Sequence, residues 1–237
     1  MKKVTPKQIE RLYEFTHQCQ VKYFDVQTEL VDHLANAIET HWQKFPDDDF
    51  EIVLIQEAQK FGTFGFKEIT EEKEKQLRKR YKNIIWKEII AFFSFPKIIM
   101  TIILTMSLFI LLNLSSDKGT VVNVLFMSTY LTIISFFIQQ YIRKKRQNQN
   151  DKKWILKDII FNNGWCASLL VIILNTLSMA NIHHTEYIEN KYFISIFSFV
   201  IVLIYIFSYL VLFHIPFKSE KYLTETYKEY KVAKLTS

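Results

Sequence analysis

Residues 192–217 read YFISIFSFVIVLIYIFSYLVLFHIPF, and residues 98–114 read IIMTIILTMSLFILLNL; neither stretch holds an Asp, Glu, Lys or Arg. A helix rises about 1.5 Å per residue, so roughly 20 such residues cross the hydrocarbon layer of a bilayer. Residues 120–142 and 159–182 are equally free of charge. The expected architecture is therefore all-α: a small N-terminal helical domain followed by a four-helix transmembrane bundle, with spans at about 98–114, 120–142, 159–182 and 192–217. A single Lys or Asp at a span centre would cost about 2.5 to 3.5 kcal/mol on insertion, and no centre carries one.

The 237 residues are 49% hydrophobic with four Gly and four Pro, which excludes disordered and collagen-like chains. Two cysteines, Cys19 and Cys166, are too few for a disulfide scaffold. Pro6, Pro46, Pro96 and Pro216, with Gly62, Gly65 and Gly119, fall at the boundaries that hydropathy and periodicity draw.

Charge sets the expected orientation, because Lys and Arg collect in loops that stay in the cytoplasm. Loop 115–119 has only Lys118, and loop 183–191 only Lys191. The middle connection instead holds Arg143, Lys144, Lys145, Arg146, Lys152, Lys153 and Lys157, and the tail 218–237 has five Lys. Arg78, Lys79, Arg80, Lys82 and Lys87 crowd the approach to the first span, within a basic stalk over 76–97. Both termini are expected in the cytoplasm, in an inner-membrane protein. Met1 opens a charged amphipathic helix and not an apolar leader, so the first span is expected to act as the targeting element. Arg78, Lys79, Arg80, Lys82 and Arg143 to Arg146 are candidate contacts to anionic lipid headgroups. Trp86, Phe92, Phe93 and Phe95 suit the interface. Residues 1–72 carry 8 Lys and Arg against 14 Asp and Glu. The overall +6 thus reflects membrane orientation, and direct nucleic-acid binding is not expected.

The head, residues 1–75, reads as three or four helices that fold as a unit. Thr5-Pro6-Lys7-Gln8 is a helix start with a capping pair. A second helix, about Asp25 to Lys44, spaces Val26, Leu30, Leu34, Ala37, Ile38 and Trp42 for a core. Asp47, Asp48 and Asp49 precede a third, about Phe50 to Phe61, expected to bury Ile52, Leu54, Ile55 and Ala58. A turn at Gly62-Thr63-Phe64-Gly65-Phe66 follows, with its phenylalanines expected in the core. On the second helix Glu29, Asp32, Asn36 and Glu39 recur at i, i+3, i+7 and i+10, so they line one stripe that can receive a partner protein. A solvated helix face is the ordinary alternative.

The order of an opening helix, Glu29-Leu30-Val31-Asp32-His33-Leu34, and a short helix closing at Phe61-Gly62 resembles the HAAS-type bacterial signalling domain over residues 5–75. The resemblance implies a helical regulatory module set before membrane spans, without enzymatic activity, whose partner is a PadR-like transcriptional regulator. The Phe61-Gly62-Thr63-Phe64-Gly65 turn departs from that family's usual Leu-Gly-x-Pro.

Chemistry-bearing constellations are sparse. Glu29 and His33 share a helix face, but a zinc site needs further ligands that His17, Cys19 and His41 place poorly. His183, His184, Glu186 and Glu189 form a polar loop that could capture a divalent metal. Asn113, Asn123, Asn162, Asn163, Asn175 and His214 are the polar residues of the spans, and none is a mid-membrane charge of the kind transport uses. No catalytic residues, metal ligands or cofactor are expected. The reading is a non-enzymatic membrane protein in signalling. A permease-like or transporter subunit is the alternative, and a lipid-acting enzyme using Asp32, His33 or His214 comes last.

Overall fold

A computed structural model describes residues 2–62, 65–146, 152–162 and 190–231, with side chains given to residue 142 of the second long stretch. All regular structure among the described residues is helical. The elements are α1 (Pro6–Gln18), α2 (Phe24–Lys44), α3 (Phe50–Gln59), α4 (Gly65–Phe92), α5 (Lys97–Leu114), α6 (Lys118–Arg146), α7 (Lys191–Tyr209) and α8 (Ser219–Thr226). Residues 155–162 are also helical. Beyond Tyr209, α7 runs on through a π turn, Leu210–His214, and a last helical turn, Ile215–Phe217. The chain divides into two compact units: Met1–Arg80 with Asn150–Ile159 and Leu223–Ser237, and Tyr81–Gln149 with Ile160–Tyr222.

In the first unit, local chemistry starts each helix where expected. Gln8 N donates to Thr5 Oγ1 and Thr5 N donates to Gln8 Oε1, closing the capping box, with Pro6 at the first helical position. Losing such a cap costs about 1 kcal/mol. Asp49 Oδ1 accepts from Glu51 N at 2.9 Å and caps α3. Gly62, with φ +72°, follows α3 in a conformation that a side chain would strain. Leu12, Val31, Leu34, Ile38, Trp42, Val53 and Leu54 form the core, with Ile9, Tyr13, Phe50, Ala58 and Phe61 packed around it. Trp42 Nε1 donates to Asp48 O at 3.0 Å, so the indole is buried with its N–H satisfied. The Phe66 ring lies tilted 5.2 Å from that of Phe61, whereas Phe64 lies outside the described residues.

One expectation about this core fails. Ile52 and Ile55 are 58% and 51% exposed, and Val53 is buried instead beside the expected Leu54. Ile52-Val53-Leu54-Ile55 is apolar on every side of the helix, so its periodicity cannot select a face. The short α3 is turned by its Asp49 cap and by Glu57, which sits 7% exposed against Lys60 and His41.

In the second unit, three helices are long and apolar enough to cross a membrane: Lys97–Leu114, Lys118–Ile142 and the continuous Lys191–Phe217. These match the first, second and fourth expected spans within a few residues. The third, 159–182, lies mostly outside the described residues, together with Asn163, Asn175, Cys166 and the His183-His184 loop. Leu112 of α5, Val122 and Phe126 of α6, and Ile194 and Ile201 of α7 share one cluster. Much apolar surface stays uncovered, with Ile103, Leu131 and Ile196 each above 60% exposed. A water-soluble protein rarely tolerates so continuous an apolar surface. Three buried hydroxyls are satisfied within their own helices, Thr101 donating to Lys97 O, Thr129 to Phe126 O and Ser198 to Ile194 O, whereas buried Ser208 Oγ of α7 has no partner among the described residues. Between α6 and α7, Tyr205 Oη donates to Leu125 O at 2.8 Å and meets Ser128 Oγ. Such interhelical bonds contribute about 1 kcal/mol in lipid.

Candidate functional site: one helix face and two held carboxylates

The acidic stripe of α2 is only half available. Lys73 Nζ donates to Glu29 Oε2 at 2.6 Å, and Glu39 Oε1 accepts from Val4 N at 3.0 Å, so both ends of the stripe hold the unit's own segments. Asp32, His33 and Asn36 are exposed between them. Periodicity placed the four side chains on one face, but it could not show that α4 and the segment before α1 reach it. His41 is taken by Asp48 at 2.8 Å, and Cys19 is an exposed free thiol. Among the described residues no group of three His, Cys, Asp or Glu side chains could hold a metal ion.

The basic candidates also separate. Arg78 is paired with Glu74, and Arg80 donates to Glu225 O at 3.3 Å. Lys79 and Lys82 are exposed. The side chains of Arg143, Lys144, Lys145 and Arg146 lie outside the described residues.

Two clusters have no counterpart in the sequence reading. The first is built on Asp25, at the start of α2 and 7% exposed. Tyr227 Oη donates to Asp25 Oδ2 at 2.7 Å, Ile155 N to Asp25 Oδ1 at 3.4 Å, and Leu156 N to Tyr227 Oη at 3.3 Å. Phe24 N donates to Lys153 O at 2.8 Å. Trp154, 4% exposed, packs its ring 4.6 Å from Tyr227, 5.2 Å from Tyr230 and 5.4 Å from Phe24. Lys152 Nζ sits 4.2 Å over the Phe24 ring. Burial pushes the Asp25 carboxyl up from its ordinary value, a rise that the Tyr227 and Ile155 hydrogen bonds oppose. Burial and the neighbouring Asp25 push the Tyr227 phenol up. Tyr23, beside Asp158, is raised to about 12, first by burial and then by that carboxylate. Three segments far apart in the chain thus meet at one carboxylate.

The second cluster is built on Glu88, near the end of α4. His214 Nε2 lies 3.0 Å from Glu88 Oε2, Lys218 Nζ donates to both carboxylate oxygens at 3.3 Å, and Tyr222 Oη donates to Oε1 at 2.5 Å. The three donors recur every fourth residue from His214, the last residue of the π turn, to Tyr222 in α8. Burial alone would push the Glu88 carboxyl up. The Tyr222, Lys218 and His214 hydrogen bonds outweigh it and hold the group below its usual range. The only sequence signals were Trp154 inside a basic polar run and tyrosines spaced along the tail.

Fold and clusters together define an all-helical protein, compatible with an integral membrane protein, in which two internal carboxylates bind distant segments. Comparison with family models, curated proteins and solved structures finds no match to this chain.

Proposed function

We propose that this chain is a non-enzymatic, multi-pass protein of the cytoplasmic membrane whose N-terminal helical unit is a regulatory interaction module, with both termini in the cytoplasm. The observation that carries this reading is the Asp25 junction, where α2, residues 153–156 and Tyr227 meet. Segments that share one buried junction lie on one side of a membrane. The chain must then leave and return both between residues 80 and 152 and between residues 159 and 223. The helices α5 and α6 supply the first pair of crossings. The described span of α7 and the uncharged sequence 159–182 supply the second. The Lys and Arg excess of 143–157 and of the tail puts that shared side in the cytoplasm.

In a background lacking Cys19 and Cys166, an impermeant thiol reagent applied to intact cells should label Ser116→Cys, while Lys153→Cys and Lys228→Cys react only after permeabilisation. Outside labelling of Lys153→Cys would overturn this topology.

The regulatory part of the proposal rests on the resemblance of residues 5–75 to HAAS-type domains and on the exposed Asp32, His33 and Asn36 face. Its partner is a cytoplasmic regulator of the PadR-like kind, while the spans anchor the module. The described spans carry no Asp or Glu, and their Lys residues sit at the ends, which favours anchoring over transport. Asp32→Lys with Asn36→Lys should leave thermal stability within about 0.5 kcal/mol. The same pair should abolish co-purification of a PadR-like regulator with the full chain. Undiminished co-purification would remove α2 as the partner face.

A further inference from the structure

Resting on the membrane reading above, we infer that the last three turns of α4 form an anionic-lipid headgroup site made by Lys82, Trp86, Lys87 and Ile90. At about 100° per residue, Lys82, Trp86 and Ile90 recur at i, i+4 and i+8 and share one face, with Lys87 beside them. All four are exposed, Trp86 at 65% and Ile90 at 57%. The rest of the helix surface is engaged: Tyr81 is 1% exposed, Glu88 holds its three donors, Phe92 packs against Val202, Ile206 and Leu210, and Ile89, at the border of the exposed face, packs there too.

These contacts also set the depth of the helix. Ile89 and Phe92 lie level with apolar residues inside the α7 span, whereas Glu88 meets Lys218, the first residue after that span ends at Phe217. Glu88 therefore marks the edge of the hydrocarbon. Along the helix axis, Lys82 stands about 9 Å outside that edge, and Ile90 about 3 Å inside it. The exposed face passes from ammonium through indole to the sec-butyl group of Ile90 in the order headgroup, interface, acyl chain. Trp and Ile give the face affinity for any bilayer; the charge requirement comes from the lysines. Neither Lys82 nor Lys87 has an ion-pair partner among the described residues, while Lys218 is paired with Glu88 and Arg78 with Glu74. Two unmatched ammonium groups at headgroup depth select lipids with net negative charge.

The test uses the full chain reconstituted in phosphatidylcholine bilayers containing spin-labelled phosphatidylglycerol or spin-labelled phosphatidylcholine. Electron spin resonance then reports the motionally restricted lipid at the protein surface. Wild type should prefer the phosphatidylglycerol label, and Lys82→Gln with Lys87→Gln should lower that preference by about fivefold per lysine. Lys82→Arg with Lys87→Arg should keep it, which separates charge from folding. Trp86→Ala should weaken both labels alike. Two outcomes overturn the site: no preference in wild type, or a preference that survives the double Gln variant and is lost only on neutralising Arg143 to Arg146. Restricted lipid without headgroup selectivity overturns the site but leaves the membrane reading standing. Absence of any restricted lipid rejects the membrane reading itself.

Discussion

Trp154→Ala should destabilise the first unit by about 3 to 5 kcal/mol, the usual cost of removing a buried tryptophan. The ring is 4% exposed and touches Phe24, Tyr227 and Tyr230, so its loss opens a cavity where three segments meet. Domains of this size have a total stability of about 5 to 15 kcal/mol, so the unit should be largely unfolded under mild denaturant. Limited proteolysis of the full-length protein in detergent, followed at sites in α1 and α2, reads the effect. Cleavage should accelerate in the head although the substitution lies more than a hundred residues away in the chain. Trp86→Ala, at a 65% exposed position, should leave the same cleavage rate nearly unchanged. Tyr227→Phe removes one hydroxyl that both donates to Asp25 and accepts from Leu156, and should cost about 1 to 3 kcal/mol. If Trp154→Ala protects α1 and α2 as well as wild type does, the junction does not hold the unit together. A fragment ending at residue 75 lacks Trp154 and Tyr227 altogether and leaves Asp25 without its partners.

Glu88→Ala should destabilise the second unit by about 2 to 3 kcal/mol. It leaves His214, Lys218 and Tyr222 without their shared acceptor, two of them able to carry positive charge. The loss exceeds that of an exposed ion pair because the carboxylate side chain is only 19% exposed and accepts from three groups. Its pH dependence has a definite sign. The folded carboxyl lies below its usual 4.5, so the stabilisation is present above that value and is lost as pH falls through the lower folded value. Unfolding in detergent, followed by helix content between pH 3 and about pH 7, should show this slope in wild type. Glu88→Gln should flatten it while keeping the side-chain shape. A Glu88→Gln curve parallel to wild type would show that the cluster contributes no linked protons.

How much of this was legible in the sequence depends on the range of the interaction. Hydropathy is a local property, so the bounds of α5, α6 and the α7 span could be drawn before the fold was known. Caps are equally local: Thr5 with Gln8, and Asp49 ahead of α3, act within one turn of the residues that reveal them. The all-helical class followed from the same patterns. The face of α3 did not, because four consecutive apolar residues offer every side of a helix to a core. The α2 stripe was correct as a register and incomplete as a surface, since Lys73 and the Val4 amide arrive from elsewhere in the chain. Asp25 and Glu88 stood as ordinary helix residues among many acidic ones. The groups that hold them, Ile155 and Tyr227 for Asp25 and His214, Lys218 and Tyr222 for Glu88, lie 126 to 202 residues away. His214, Lys218 and Tyr222 share a helical spacing, but no periodicity names the acceptor they meet, and closure of such bonds depends on which segments the chain brings back together. Sequence by itself determined which segments are helical and which suit a membrane; tertiary structure alone decided which polar groups are buried, because burial is set by the segments that come back.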